Sequence, residues 1–328
     1  MDPESAGAFR PHRVASGALT TPASSPRVSV LVTAYNRETY IAEALESVLA
    51  QTMTDFEVIV CDDQSTDGTV RVVEQIARRD SRVRLSVNPR NLGDYGNRRH
   101  AASLARGTYL KYHDSDDVMY PHCLEVMLEA LEKEPTAACA LSASHAWPGG
   151  ACPMLLTPRL AYEREYLGYG LFQIGPAAAL FRTEAFRALG GFDDTMHVAD
   201  YLFWIRACAQ VNVLLVPGDL FYYRLHGDQE MSKPTNTLAY AHATGVAWRM
   251  LNSSECPLTG DALIRARRNF TYVQARGIYR LLKRRQFSGA AAVIKHSGFR
   301  AADWIRYLRP PRRRADAGTP QQRREVPA

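Results

Sequence analysis

The segment Tyr109-Leu110-Lys111-Tyr112-His113-Asp114-Ser115-Asp116-Asp117 gathers three carboxylates within four residues, where an apolar run that reads as a strand comes to an end. Like charges repel, so a fold needs a reason to gather them, and a divalent cation is the simplest. Hard cations take oxygen ligands, and a magnesium site uses one or two carboxylates plus substrate phosphates. Asp114 and Asp116 are two apart and share a side if the strand geometry persists. The alternative is plainer: Asp116 or Asp117 caps a helix starting near Tyr120-Pro121, with the remaining carboxylates in water.

The elements around this cluster set where it lies. Val28 to Thr33 is a short β-branched run suited to a buried strand, and Glu57 to Cys61 is a second. Between them, Ile41, Ala44, Leu45, Val48 and Leu49 recur at helical spacing over residues 39–51. A helix over 70–79, a strand over 83–87, a helix over 97–105 closed by Gly107, and a strand over 108–112 complete the first half. Strand–helix alternation of this kind predicts a mostly parallel α/β sheet. Ligands of such sheets bind beyond the carboxyl ends of the strands, which is where Asp62-Asp63 and Asp114 to Asp117 fall. Farther on, strands are predicted at 177–181 and 211–216, a helix over 203–208 behind Asp200, and helices from 239 to 295.

The ordered series is more specific than any member of it. Thr33-Ala34-Tyr35-Asn36 follows the first strand, Asp62-Asp63 the second, and Asp114-x-Asp116 a later one. Gly190-Gly191-Phe192-Asp193 then precedes Asp200-Tyr201-Leu202-Phe203-Trp204-Ile205-Arg206. Over residues 27–233 this series resembles the family 2 glycosyltransferases, inverting enzymes of the GT-A fold that use nucleotide-diphospho-sugars. The resemblance implies a donor site at Thr33, Ala34, Tyr35, Asn36, Asp62, Arg98, Asp114 and Ser115, with a UDP-sugar the first candidate donor. It places a divalent cation, Mn2+ or Mg2+, on Asp116 and Asp114, with His226 of Tyr222-Tyr223-Arg224-Leu225-His226 as a further ligand. It makes Asp200 the catalytic base, removing the proton of an acceptor hydroxyl as that oxygen attacks the anomeric carbon. Asp200 could instead cap its helix. The family usually has Glu before this Asp, and here the position is Ala199.

Other classes fit less well. A nucleotidyltransferase opens with a Gly-rich loop after its first strand, and Thr33 to Glu38 contains no glycine. Neither G-x-G-x-x-G nor G-x-x-x-x-G-K-[ST] occurs. A catalytically inactive nucleotide-sugar-binding scaffold is the other alternative, but it would have no use for a base such as Asp200.

Composition marks a disordered leader at 1–26, a helical extension at 236–309 and a disordered basic tail at 310–328, and the resemblance implies a transferase domain at 27–235, with a donor half at 27–120 and an acceptor half at 121–235. From Asp261 onward seventeen Lys and Arg face four Asp and Glu, a balance of +13, while the rest of the chain carries −7. Basic stretches such as Arg280 to Arg285 and Trp304 to Arg309 mix cations with large apolar groups. They read either as a solvated helix face or as a peripheral membrane contact. No nucleic-acid motif accompanies the charge, and no nucleic-acid partner is expected. Six scattered cysteines without a C-x-x-C pair fit reduced thiols, hence a cytoplasmic protein, and the membrane reading of the basic stretches would make it peripheral on the inner face of a membrane. The acceptor expected is a glycan or a lipid-linked glycan. Trp147, Tyr162, Tyr166, Tyr169 and Phe172 are expected to shape its pocket.

Overall fold

A computed structural model describes residues 25–143, 152–168, 170–193, 198–227 and 236–307. Trp147, Tyr169, the leader through residue 24 and the tail from 308 lie outside the described residues.

The first half alternates as its apolar runs dictate: β1 (Val28–Ala34), α1 (Ile41–Leu49), β2 (Phe56–Asp62), α2 (Thr69–Arg79), β3 (Val83–Val87), α3 (Asp94–Leu104) and β4 (Tyr109–Asp114). β1 and β2 are buried along their whole length, so both faces must be covered by helices and no alternation survives in their sequence. In α1, Ile41, Ala44, Leu45 and Val48 form the buried stripe that covers one of those faces.

The second half contributes β5 (Val118–Met119), α4 (Cys123–Lys133), β6 (Ala137–Ala143), β7 (Met154–Leu156), α5 (Pro158–Leu167), β8 (Ala179–Arg182), α6 (Thr183–Ala188), α7 (Ala199–Ala207), β9 (Asn212–Pro217) and β10 (Phe221–Tyr222). The eight-stranded sheet runs β3-β2-β1-β4-β8-β6-β9-β7, and β5 pairs with β10 apart from it. β3, β2, β1 and β4 are parallel; β8 lies antiparallel between β4 and β6, and β7 antiparallel to β9. This mixed α/β layering, with a mostly parallel sheet, is of the GT-A type.

Four helices follow: α8 (Asn236–Leu251), α9 (Gly260–Lys283), α10 (Phe287–His296) and α11 (Ala301–Tyr307). Trp248 and Phe270 join the same buried cluster as Leu110, Tyr112 and Phe181 of the sheet.

Three expectations need correction. Gly107 does not close α3, which ends at Leu104 with Ala105 already extended. It is required instead where the chain crosses β1: a Cβ there would stand 2.5 Å from the Ser29 backbone nitrogen. Neither Asp116 nor Asp117 caps the next helix, since α4 begins at Cys123 with no side-chain cap. Tyr162, Tyr166 and Phe172 are buried rather than open to an acceptor; they interlock in the core, with ring centroids 5.3–6.1 Å apart.

Candidate active site

Register brings the chemistry to one edge. Thr33 sits beside Asp114 across β1 and β4, and Ala34 beside Asp62 across β1 and β2. The carboxyl ends of three parallel strands are thus level, and the loops leaving them converge.

Asp62 and Asp63 divide their tasks. Asp62 is fully buried; its Oδ1 accepts from the Ser65 backbone N–H at 2.9 Å, while its Oδ2 has no partner among the described residues. A buried acceptor left open in this way costs free energy unless a ligand donates to it. Asp63 is structural. Its two oxygens take the backbone N–H groups of Leu92 and Gly93 and the amide of Asn88, fixing the loop that starts α3. Asn36, at φ 52°, uses its side-chain oxygen on Thr66 N at 2.8 Å, which ties the loop after β1 to the loop after β2. Its side chain therefore holds loop to loop, and Tyr35 beside it is exposed.

The acidic cluster does not form one row. β4 stops at Asp114, and the Asp117 N–H bonds back to Asp114 O at 3.2 Å, so the chain turns before Asp116. Strand geometry ends there, and the two carboxylates part company. Asp114 Oδ1 accepts from Arg98 Nη2 at 2.8 Å, and Arg98 Nε reaches Asp94 at 2.9 Å. Arg98 Nη1 is buried with no partner among the described residues. Although burial opposes it, the Arg98 guanidinium holds the Asp114 carboxyl below the usual carboxylate range.

Asp116 Oδ2 lies 3.0 Å from His226 Nε2 and 3.1 Å from Arg37 Nε. Side-chain exposures of 13% for Asp116 and 9% for His226 make this a sheltered pair. Tyr40 packs against His226 with tilted rings and centroids 4.7 Å apart, and Arg224 Nε donates to Asp116 O at 2.9 Å. A carboxylate oxygen and an imidazole nitrogen side by side fit a divalent cation that draws its other ligands from a diphosphate. No group of three or more His, Cys, Asp or Glu poised for a metal occurs among the described residues, because Asp114 faces Arg98 instead. Ser115 is buried between the two carboxylates. Asp117, buried against Asp114, has its carboxyl pushed up to about 7 by desolvation first and that neighbouring charge second. Its Oδ1 accepts from the Arg224 N–H at 3.0 Å.

Asp200 lies in the first turn of α7, whose cap position is Val198, so it is not the cap. Its Oδ1 accepts from the Tyr201 N–H at 2.8 Å, and the Tyr95 hydroxyl donates to its carboxylate. Burial raises the Asp200 carboxyl above the ordinary range, opposed by those two hydrogen bonds and by the Arg98 charge. Ala199 is fully buried in the core, so the position where the family usually carries Glu is here an apolar contact.

Tyr95, Asp94 and Arg37 were not among the sequence candidates. Asp94 and Tyr95 lie in the first turn of α3, and only their spacing from Arg98, i to i+4 and i+3, placed them on its face. Nothing local marks Arg37 as a partner of Asp116, seventy-nine residues away.

The sequence pattern of glycosyl transferase family 2 matches residues 29–190. The chain carries a glycosyl transferase family 2 domain. Chondroitin synthase of Escherichia coli is 30% identical over 223 residues, covering 63% of this chain and 30% of that one. Hyaluronan synthase of Pasteurella multocida is 31% identical over 211 residues, covering 63% and 21% respectively. The chain thus spans less than half the length of these two relatives. Among solved structures, S. aureus TarS 1-349 in complex with UDP-GlcNAc superposes with a TM-score of 0.59 at 19% identity, covering 83% of this chain and 89% of that one. The mannosyltransferase PcManGT of Pyrobaculum calidifontis, in complex with GDP-Man and Mn2+, gives 0.55 at 18% identity, covering 83% and 86%. Within the family 2 domain, β2, β4 and their loops supply Asp62, Asp114 and Asp116 and α3 supplies Arg98, while Asp200 and His226 come from beyond the matched segment.

Proposed function

We propose that the chain is an inverting, metal-dependent glycosyltransferase that moves a sugar from a nucleotide-diphospho-sugar, a UDP-sugar first among candidates, to a hydroxyl acceptor. One observation carries this reading. Arg98 bonds the Asp114 carboxylate at 2.8 Å, and its guanidinium lies 5.9 Å from the ring of Tyr95, whose hydroxyl bonds Asp200. A base and an anion-binding edge are thereby joined through one buried cation.

Each residue then has a task set by its surroundings. The open oxygen of Asp62 accepts from the imide N–H of a uracil or a ribose hydroxyl. The open Nη1 of Arg98 donates to a diphosphate oxygen. Asp116 and His226 would hold Mn2+ or Mg2+, which when bound neutralises charge on the diphosphate leaving group. Asp200 takes the acceptor proton; the acceptor oxygen bonds to the anomeric carbon as the bond to the diphosphate breaks on the opposite face. Burial of Asp200 suits this, because raising a carboxyl makes its ionised form a stronger base. The acceptor we propose is a glycan or a lipid-linked glycan in polysaccharide or glycoconjugate biosynthesis, reached from the inner face of a membrane.

The test is a calorimetric screen of UDP-, GDP-, CMP- and dTDP-linked sugars, with and without Mn2+, on the wild type and Asp116→Ala. Metal-dependent binding of one nucleotide class, lost in the variant, supports the reading. A folded protein that binds none of them overturns it in favour of a scaffold.

A further inference from the structure

We infer that the outer face of α9, α10 and α11 is a docking surface for an anionic lipid bilayer. Ala275, Ile278, Tyr279 and Leu282 of α9, Ile294 of α10 and Trp304 of α11 line an apolar groove of ≈ 450 Å³. Tyr279 is 66% exposed, Ile294 51% and Leu282 44%, and Phe287, at the turn from α9 to α10, is 63% exposed. Exposed apolar side chains scattered singly need no explanation, but a contiguous groove of them does.

Charge decides the occupant. Residues 262–302 contain ten Lys and Arg and no Asp or Glu. Arg276, Arg280, Lys283, Arg284, Arg285 and Lys295 are exposed on the helices that form the groove and on the turn between them, and none is paired with a carboxylate among the described residues. A second copy would bring the same positive charge to the same place. The chain's own residues 308–328 carry six Arg against two acidic residues, so they too would add like charge. Nucleic acid would meet the cations and could stack on Tyr279 and Trp304, but it would leave Ala275, Ile278, Leu282 and Ile294 uncovered. A bilayer with anionic headgroups meets both requirements: the apolar side chains enter the headgroup–acyl boundary while Lys and Arg lie at the phosphates. No helix among the described residues is long and apolar enough to cross a membrane, so the contact is peripheral.

The face is not loosely tethered. Phe270 of α9 packs edge-on against Tyr166 of α5 at 5.7 Å, and Asn269 Nδ2 donates to Tyr166 O at 3.1 Å. Docking would therefore orient the sheet and its carboxyl edge relative to the lipid surface. Only this last step, presentation to a membrane-linked acceptor, rests on the transfer reading. The docking does not.

The experiment is co-sedimentation of the full chain with phosphatidylcholine vesicles and with vesicles containing phosphatidylglycerol, without donor, at low and high salt. The expected result is preference for the anionic vesicles by roughly tenfold or more, weakening as salt screens the cations. Leu282→Glu with Ile294→Glu should lose most of that binding, as should Arg280→Glu with Lys283→Glu and Arg284→Glu; both sets are surface changes, and either suffices if the other fails to fold. Removal of 308–328 should leave binding largely intact. Equal partition to neutral and anionic vesicles would overturn the inference, as would wild-type binding by both variants or loss of binding with the tail alone. Duplex DNA that outcompetes vesicles would replace it with a nucleic-acid face, and self-association abolished by Leu282→Glu with a dimer face. Donor-sugar hydrolysis in solution, measured on the same variants, should be unchanged, which separates failure of docking from failure of the transfer reading.

Discussion

Arg98 and Asp114 form a part-buried pair at 2.8 Å that joins the first turns of α3 to the end of β4. The guanidinium also holds Asp94, so one cation serves two carboxylates while a third nitrogen stays open. Removing it leaves two carboxylates uncompensated. Arg98→Ala should destabilise the fold by about 2 kcal/mol, because two partly buried carboxylates lose their charged hydrogen-bond donor. Arg98→Lys should recover part of that stability without donor affinity, since an ammonium cannot span both carboxylates in a fixed fork. Thermal unfolding and nucleotide-sugar calorimetry on the two variants separate these effects; equal donor affinity in Arg98→Lys and wild type would refute the diphosphate role.

Asp200 and Tyr95 give a pH signature. Burial is the main cause that lifts the Asp200 carboxyl, and the Tyr95 hydroxyl bond pulls it back. A base works only when ionised, so the acid limb of kcat should lie above the ordinary aspartate range. Tyr95→Phe removes a bond that favours the ionised form, so the limb should move to higher pH. Asp200→Asn should lower kcat by roughly 10²–10⁴ with donor affinity retained. A limb that stays in place in Tyr95→Phe would show that Asp200 does not set it.

The two halves of the chain differ in how far residues alone disclose them. β1 and β2 are β-branched runs bounded by polar loops, and burial on both faces leaves them continuous, so their limits were readable to within a residue or so. β6, Ala-Ala-Cys-Ala-Leu-Ser-Ala, is built of small residues whose pattern fits helix or strand equally, and it becomes a strand because β8 and β9 flank it. The separation of Asp114 from Asp116 was hidden for a similar reason. A two-residue spacing implies one side only while the strand lasts, and here the Asp117–Asp114 backbone bond ends it. Asp62, Asp116 and Asp200 could be picked out because carboxylates at strand ends and helix starts are conspicuous. Tyr95 and Arg37 could not, since each matters through a partner supplied by another part of the chain.

The open oxygen of Asp62 predicts nucleotide selectivity. Asp62→Ala should weaken UDP-sugar binding by roughly ten- to a hundredfold, the worth of a hydrogen bond to a charged group. Because that oxygen has no partner among the described residues, the loss should appear in affinity more than in stability. Calorimetry of UDP beside a thermal melt tests this. A large fall in melting temperature with unchanged affinity would mean that the Ser65 bond is the whole role of Asp62.

Asp117 predicts how stability depends on pH. Its carboxyl titrates at about 7 in the folded chain, held up by burial and then by Asp114, against roughly 3.9 when unfolded. Between those values the folded state binds more protons than the unfolded one. This group's contribution is therefore complete below about pH 4, declines as pH rises, and is gone above about pH 7. Other buried carboxyls add slopes of their own: Asp200 is raised in the same sense, and Asp114 is depressed in the opposite one. The comparison that isolates Asp117 is with Asp117→Asn, which keeps an acceptor for the Arg224 N–H and cannot ionise. Denaturant unfolding at pH 4.5 and 7.5 should show the wild type losing stability relative to Asp117→Asn over that interval. Parallel curves for the two proteins would place the Asp117 carboxyl in its ordinary range. Repeating the measurement with Mn2+ adds a second reading, because a cation bound at Asp116 would favour ionised Asp117 and shrink the difference.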